Sequence, residues 1–122
     1  MQTGLKWLVA GTGLLLGAAA AQAHHAFAAE FDAARPVELR GVVTRMEWIN
    51  PHSWITIDVT TDDGGIETWE IEAGAPNAMF RRGFTRDSLP VGTEVVVRGY
   101  QARDGSQRAN GRDVTLPGGE RL

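Results

Sequence analysis

The 122-residue chain contains no cysteine. That excludes a disulfide framework, zinc–thiolate sites and covalent c-type haem attachment. Lysine is nearly missing as well: Lys6 stands alone beside eleven arginines. Histidine occurs three times, as His24, His25 and His52. Basic excess is absent too, the formal net charge being −3 at pH 7. A mildly acidic surface argues against a general nucleic-acid binder, which needs a basic footprint. The one apolar run, Trp7 to Ala20, is short and rich in glycine and alanine, a poor match for a bilayer span.

What precedes the two adjacent histidines has the form of an export signal. Lys6 supplies a positive start, the apolar run follows, and Ala21-Gln22-Ala23 ends it with a small-x-small pattern. Cleavage is expected after Ala23, giving a periplasmic or secreted protein with no stable membrane insertion. No twin-arginine pair precedes the run, so the general secretory route is expected. The chain then divides into a signal at 1–23, a leader at 24–36, a β domain at 37–116 and a tail at 117–122. Without Lys6, eleven arginines against fifteen acidic residues leave a charge of −4. The remaining length suits one domain with one modest core.

Hydrophobic alternation carries the architecture. In the leader, Phe27 and Phe31 are spaced to share a face of a short helical turn. In "VELRGVVTRMEW", residues 37–48, Val37 and Leu39 alternate with polar residues, and after Gly41 the apolar set shifts to Val42, Met46 and Trp48. A glycine at such a shift predicts a bulge or bend. "WITIDVT", 54–60, and "IETWEIE", 66–72, alternate cleanly about the hairpin signal "TDDGG". Pro76 and Gly83 bracket a short helix, with Met79 and Phe80 as its apolar contact. "LPVGTEVVVRGY", 89–100, reads as a turn and a fourth strand, "ARDGSQRANGR" as a polar loop, and "DVTL", 113–116, as a short fifth strand. The expected core contains Val43 or its neighbour Val42, with Ile55, Ile57, Val59, Trp69, Ile71, Val95 and Val97. This order predicts a mainly β fold: a small five-stranded OB-like Greek-key barrel with one short helix between strands three and four. The alternative is an open antiparallel sheet with a packed helix.

These stretches also carry a resemblance. "HHAF", "LRGVVTRMEWINPHSWI", "GGIETWEIE", "LPVGTEVVVRGYQARDGS" and "VTLPGGERL" together resemble a group of small exported bacterial proteins classed as domain of unknown function 6152. The "NPH" turn between two tryptophans is the most specific piece. The resemblance implies export and a small β domain, and it supplies no activity.

Three stretches bear on chemistry. In "WINPHSW", Trp48, Asn50, His52 and Trp54 surround a turn at the mouth of the first hairpin, which borders the usual ligand face of OB domains. Two aromatic faces and an imidazole suit a small ring, a sugar or a peptide. The competing reading has the tryptophans pairing across the strands as packing, with His52 bonded to the turn backbone. His52 beside Ser53 is not a catalytic pair by adjacency, since no acid is placed by sequence to orient the imidazole. In "HHAF", cleavage would put an α-amine beside the imidazole of His24, with His25 next to it. That donor set suits Cu²⁺, and less well Zn²⁺ or Ni²⁺. The competing reading is an ordinary chain end. Whether His52 completes such a metal set stays open.

The remaining charged clusters have plainer readings. Asp62-Asp63 lacks the ligand spacing of a calcium loop and reads as a solvated hairpin turn. Arg81, Arg82 and Arg86 complement the end of the short helix. Arg103, Arg108 and Arg112, mixed with Asp104 and Asp113, read as a solvated loop. With no cofactor fingerprint, cysteine nucleophile or spaced carboxylate pair, an enzyme is not expected. The leading expectation is a ligand- or partner-binding accessory module whose partner is a small molecule or an envelope protein. A copper binder and a structural envelope protein are the alternatives.

Overall fold

The cleanest alternation becomes the central hairpin. In the computed structural model, which describes residues 26–122, β2 (Trp54–Thr60) and β3 (Ile66–Glu72) pair in unbroken register from Trp54 opposite Glu72 to Thr60 opposite Ile66. The turn between them is fastened by Asp63. Its carboxylate accepts hydrogen bonds from the Thr61 hydroxyl and from the Gly65 N–H, the latter at 3.0 Å. The Thr61 hydroxyl first, and then the Gly65 N–H, hold this carboxyl below its usual pKa. Asp63 is therefore a turn device, in keeping with the hairpin reading of the acidic pair.

Around the hairpin run β1 (Phe31–Glu47), β4 (Glu94–Ala102) and β5 (Arg108–Thr115), with helix α1 (Pro76–Arg81) between β3 and β4. The strands pair in the ring order β1-β2-β3-β5-β4, returning to β1. Every pairing is antiparallel except the short parallel contact of β3 with β5. This is the five-stranded, OB-like arrangement that the strand order predicted, with its helix where expected. Proline opens α1, and the N–H groups of Arg82 and Gly83 close it on the carbonyls of Met79 and Phe80. Met79 is buried; Phe80, the other residue expected in that contact, is 67% exposed.

The inward residues form one cluster. Val43, Ile55, Ile57, Trp69, Ile71, Val95 and Val97 are all buried, joined by Leu89, Ala109 and Val114 from outside the hairpin. Val59 packs against them, and Val42 faces out.

Four expectations are corrected. First, β1 begins at Phe31, so residues 31–36 of the expected leader are strand; Phe31 is buried and pairs with Ala102, while the helical residues 26–30 stop before it. Phe27 and Phe31 thus do not share a helical face. Second, Gly41 is not the bulge. It pairs regularly with Val95, and the register slips between Val43 and Arg45 on the β2 side. Val37, Leu39 and Val43 keep one phase through the glycine, and the phase changes after Thr44, before Met46 and Trp48. Glycine is needed at 41 because a Cβ there would stand 2.8 Å from the Asp58 carbonyl oxygen of the crossing strand. Third, the expected polar loop 102–112 shrinks to 103–107, since β4 runs to Ala102 and β5 starts at Arg108. Its alternation was hidden by the glycine needed at 111, where a Cβ would meet Ile71 at 2.7 Å. Fourth, the tail folds back: Leu122 donates its N–H to Val114 and packs on the core, and Arg121 pairs with Asp113 at 3.2 Å. The expected signal, with His24 and His25, lies outside the described residues.

Ile57 is fully buried at the centre of this cluster. Replacing it with alanine should cost about 2–5 kcal/mol, measured as a lower denaturant midpoint at unchanged slope.

Candidate functional site

The turn that joins β1 to β2 is tied down from below. Ser53 donates its N–H to the Gly74 carbonyl at 3.0 Å and accepts from the Ala73 N–H at 2.8 Å. These bonds continue the β2–β3 ladder one step past its regular end, and they bury Ser53 completely. The Asn50–Pro51 bond within the turn is cis. His52 is left on the outside, its side chain about half exposed.

Register then decides what each named side chain does. Met46 faces Ile55 in the interior, whereas Glu47 faces Trp54 on the outer surface. Trp48 packs against the core. The two tryptophans therefore lie on opposite faces and do not pair across the strands, as the packing reading of this turn had them do. Asn50 lies exposed in the turn.

Trp54 has different company. Its cross-strand partner on β3 is Glu72, whose Oε1 stands 3.1 Å from Nδ1 of His52. Only 11% of the Glu72 side chain is exposed, so this carboxylate is a sheltered partner for a half-exposed imidazole. From the other side comes Arg108, the first residue of β5. Its guanidinium lies 4.8 Å from the centre of the Trp54 ring, a cation–π distance. Its Nε is 3.5 Å from Oε2 of Glu70, its register partner on β3. The arginine expected in a solvated loop is thus stacked on a tryptophan, because the parallel β3–β5 contact brings Glu70 and Arg108 side by side. Arg103 and Arg112 do not join it: Arg112 donates to the Tyr100 hydroxyl at 3.3 Å.

The outer β2–β3–β5 surface therefore carries one flat aromatic ring flanked by an imidazole–carboxylate pair and a guanidinium–carboxylate pair. It offers stacking area together with donors and acceptors. Ser53 and His52 make no nucleophile–base pair, since the hydroxyl is buried without a hydrogen-bond partner among the described residues while the imidazole turns to Glu72. Nor does His52 sit in a metal set there: among the described residues no three histidine or acidic side chains converge. None of Trp54, His52, Glu72 and Arg108 lines either of two grooves, of about 570 and 560 Å³, found elsewhere on the surface.

Glu72 was within reach of the sequence. A hairpin centred on Asp63 places Glu72 opposite Trp54, next to His52. Arg108 was not, because no local pattern announces a parallel contact between β3 and β5. The link between Arg108 and Trp54 should appear as coupling. A double-mutant cycle of Arg108→Ala and Trp54→Ala, read by denaturant unfolding, should give about 0.5–1 kcal/mol.

No curated protein and no solved structure matches this chain. Among the described residues no helix is long and apolar enough to cross a membrane. A family of unknown function, DUF6152, matches residues 12–111. The match takes in the "WINPHSW" turn, β2, β3, α1, β4 and the first part of β5, and it ends before the "VTLPGGERL" stretch that contributed to the resemblance. By that span the chain belongs to the DUF6152 family.

Proposed function

We propose that this protein is an exported binding module, working in the periplasm or outside the cell, that engages a small polar ligand or an envelope partner through the outer β2–β3–β5 surface. The export half rests on Lys6, the apolar run and Ala21-Gln22-Ala23. The binding half rests on one observation: Trp54 is held on the outer face, beside His52 and Glu72, rather than spent on the core. A ring of this kind stacks on the face of a sugar or on an aromatic or peptide group, while the His52–Glu72 pair supplies a directional hydrogen-bonding edge. The test is a thermal-shift screen of saccharides and short peptides on processed protein. A true ligand raises the melting temperature progressively with concentration. That rise should vanish in Trp54→Ala and shrink in His52→Ala. Compounds that stabilise Trp54→Ala as strongly as the parent would sink this reading, and an intact mass that retains residues 1–23 would sink the export half.

A second reading concerns copper. If cleavage follows Ala23, the His24 amine and imidazole, with His25, form a donor set for Cu²⁺. His52 is committed to Glu72 in the described part of the chain, which favours a site local to the N-terminus. Binding should weaken as pH falls, because protons compete for the amine and the imidazoles. Calorimetry should show tighter Cu²⁺ binding to protein starting at His24 than to a form extended by one Met, and no loss in His52→Ala. Equal, weak affinity in both forms would remove copper from consideration.

A further inference from the structure

A second surface combines charged side chains with an exposed apolar one. It lies on the outer face where β1 leaves β4 and takes up β2, along the groove of about 570 Å³. Val42 is its midpoint, because this residue pairs with Asp58 on one side and with Glu94 on the other. Val43, Ile57 and Val95 point into the core, so Val42, Asp58 and Glu94 project outward in one row across three strands. Neighbouring strands stand about 4.8 Å apart, which sets the two carboxylates on stems rooted about 10 Å apart. Between them Val42 is 38% exposed. Two residues back along the same face of β1 comes Arg40, opposite Val96, with Leu116 closing that end of the groove.

Among the described residues this row has few protein partners. Asp58 receives the Thr68 hydroxyl at 2.7 Å on Oδ1. Arg40 and Glu94 make no ion pair or side-chain hydrogen bond among the described residues. The groove therefore presents two carboxylates, one guanidinium and an apolar strip between them. An apolar ligand would desolvate charges and return no hydrogen bonds. An anion would meet two carboxylates, and a plain diamine would leave Arg40 unanswered. The complementary charge pattern is two cations and one carboxylate joined by an aliphatic stem.

We propose that this groove binds a free basic amino acid of the lysine type. The α-carboxylate pairs with Arg40, the two ammonium groups with Asp58 and Glu94, and the four-carbon stem lies along Val42, much as lysine stems cover apolar surface in proteins. The net negative charge of the groove, two carboxylates against one guanidinium, is matched by the single net positive charge of lysine. This site is separate from the Trp54 surface, and it stands or falls independently of the function proposed there.

The experiment is a titration of ¹⁵N-labelled protein with L-lysine. Saturable shifts are expected at the amides of Gly41, Val42 and Val96, with the Trp54 indole signal unmoved. Glu94→Gln and Arg40→Gln should each weaken binding about tenfold, the scale of a lost charge-assisted hydrogen bond. Both side chains are at the surface, so the variants keep the fold, and unchanged amide signals in the core verify it. L-norleucine, which lacks the terminal ammonium, should bind at least about tenfold more weakly than lysine. The proposal is overturned if lysine gives no saturable shift, if shifts gather at Trp54, if norleucine binds equally well, or if Glu94→Gln leaves affinity unchanged.

Discussion

One strand changes partner along its length, and the rest of the domain is arranged around that fact. The first half of β1 lies against β4, its second half lies against β2, and Val42 pairs with both. In a closed ring such a strand has to bend and twist as it hands over its hydrogen bonds. The chain achieves the handover with two local devices. Gly41 lets the backbone of β2 come close, and the slip after Val43 re-aims the side chains that follow. With the handover made, β2–β3 and β4–β5 become opposite walls of one core, and the ring is completed by the short parallel contact of β3 with β5.

The surface chemistry follows from the same handover. Because Val42 has a neighbour on each side, an acidic residue of β2 and one of β4 come to flank a single exposed valine. Because the register slips after Val43, Met46 and Trp48 turn inward and Glu47 turns out to meet Trp54. Had the phase of Val37, Leu39 and Val43 continued, position 47 would point inward, and a carboxylate would be buried against the core at a cost of several kcal/mol. The bulge therefore keeps charge out of the interior and sets the two tryptophans on opposite faces.

At the other end of the hairpin the organising contact is the pair of backbone bonds between Ser53 and the Ala73–Gly74 link. They fix where the β1–β2 turn ends and where the approach to α1 begins. His52, one residue before, is held outside and reaches Glu72, the last residue of β3. The ring closure then adds Arg108. The outer site is therefore built by three connections of increasing sequence separation: a turn, a hairpin register and a parallel strand contact.

That gradient also separates what was legible in the sequence from what was not. Alternation gave β2 and β3 to the residue, because both have one face in the core and a tight turn between them that sets the pairing. It gave the inward set of β4 for the same reason, burial of one face writing a period into the chain, while Pro76 and Gly83 marked the place of the helix. The start of β1 at Phe31 and of β5 at Arg108 was not written there. Pro36 and Gly111 interrupt the pattern at points where an edge position or a close approach requires them, and they read locally as loop. Nor did the sequence say that Trp48 packs against the core while Trp54 faces out, or that Arg108 stacks on Trp54, or that Asp58 and Glu94 flank Val42. The first depends on the slip within the β1–β2 pairing, and the others need a register with β4 or β5, strands distant in sequence that only the closing of the ring brings into place. A side chain's neighbours along the strand are fixed by the chain; its neighbours across the sheet are fixed by which strands meet, and the two candidate surfaces here are made of the second kind.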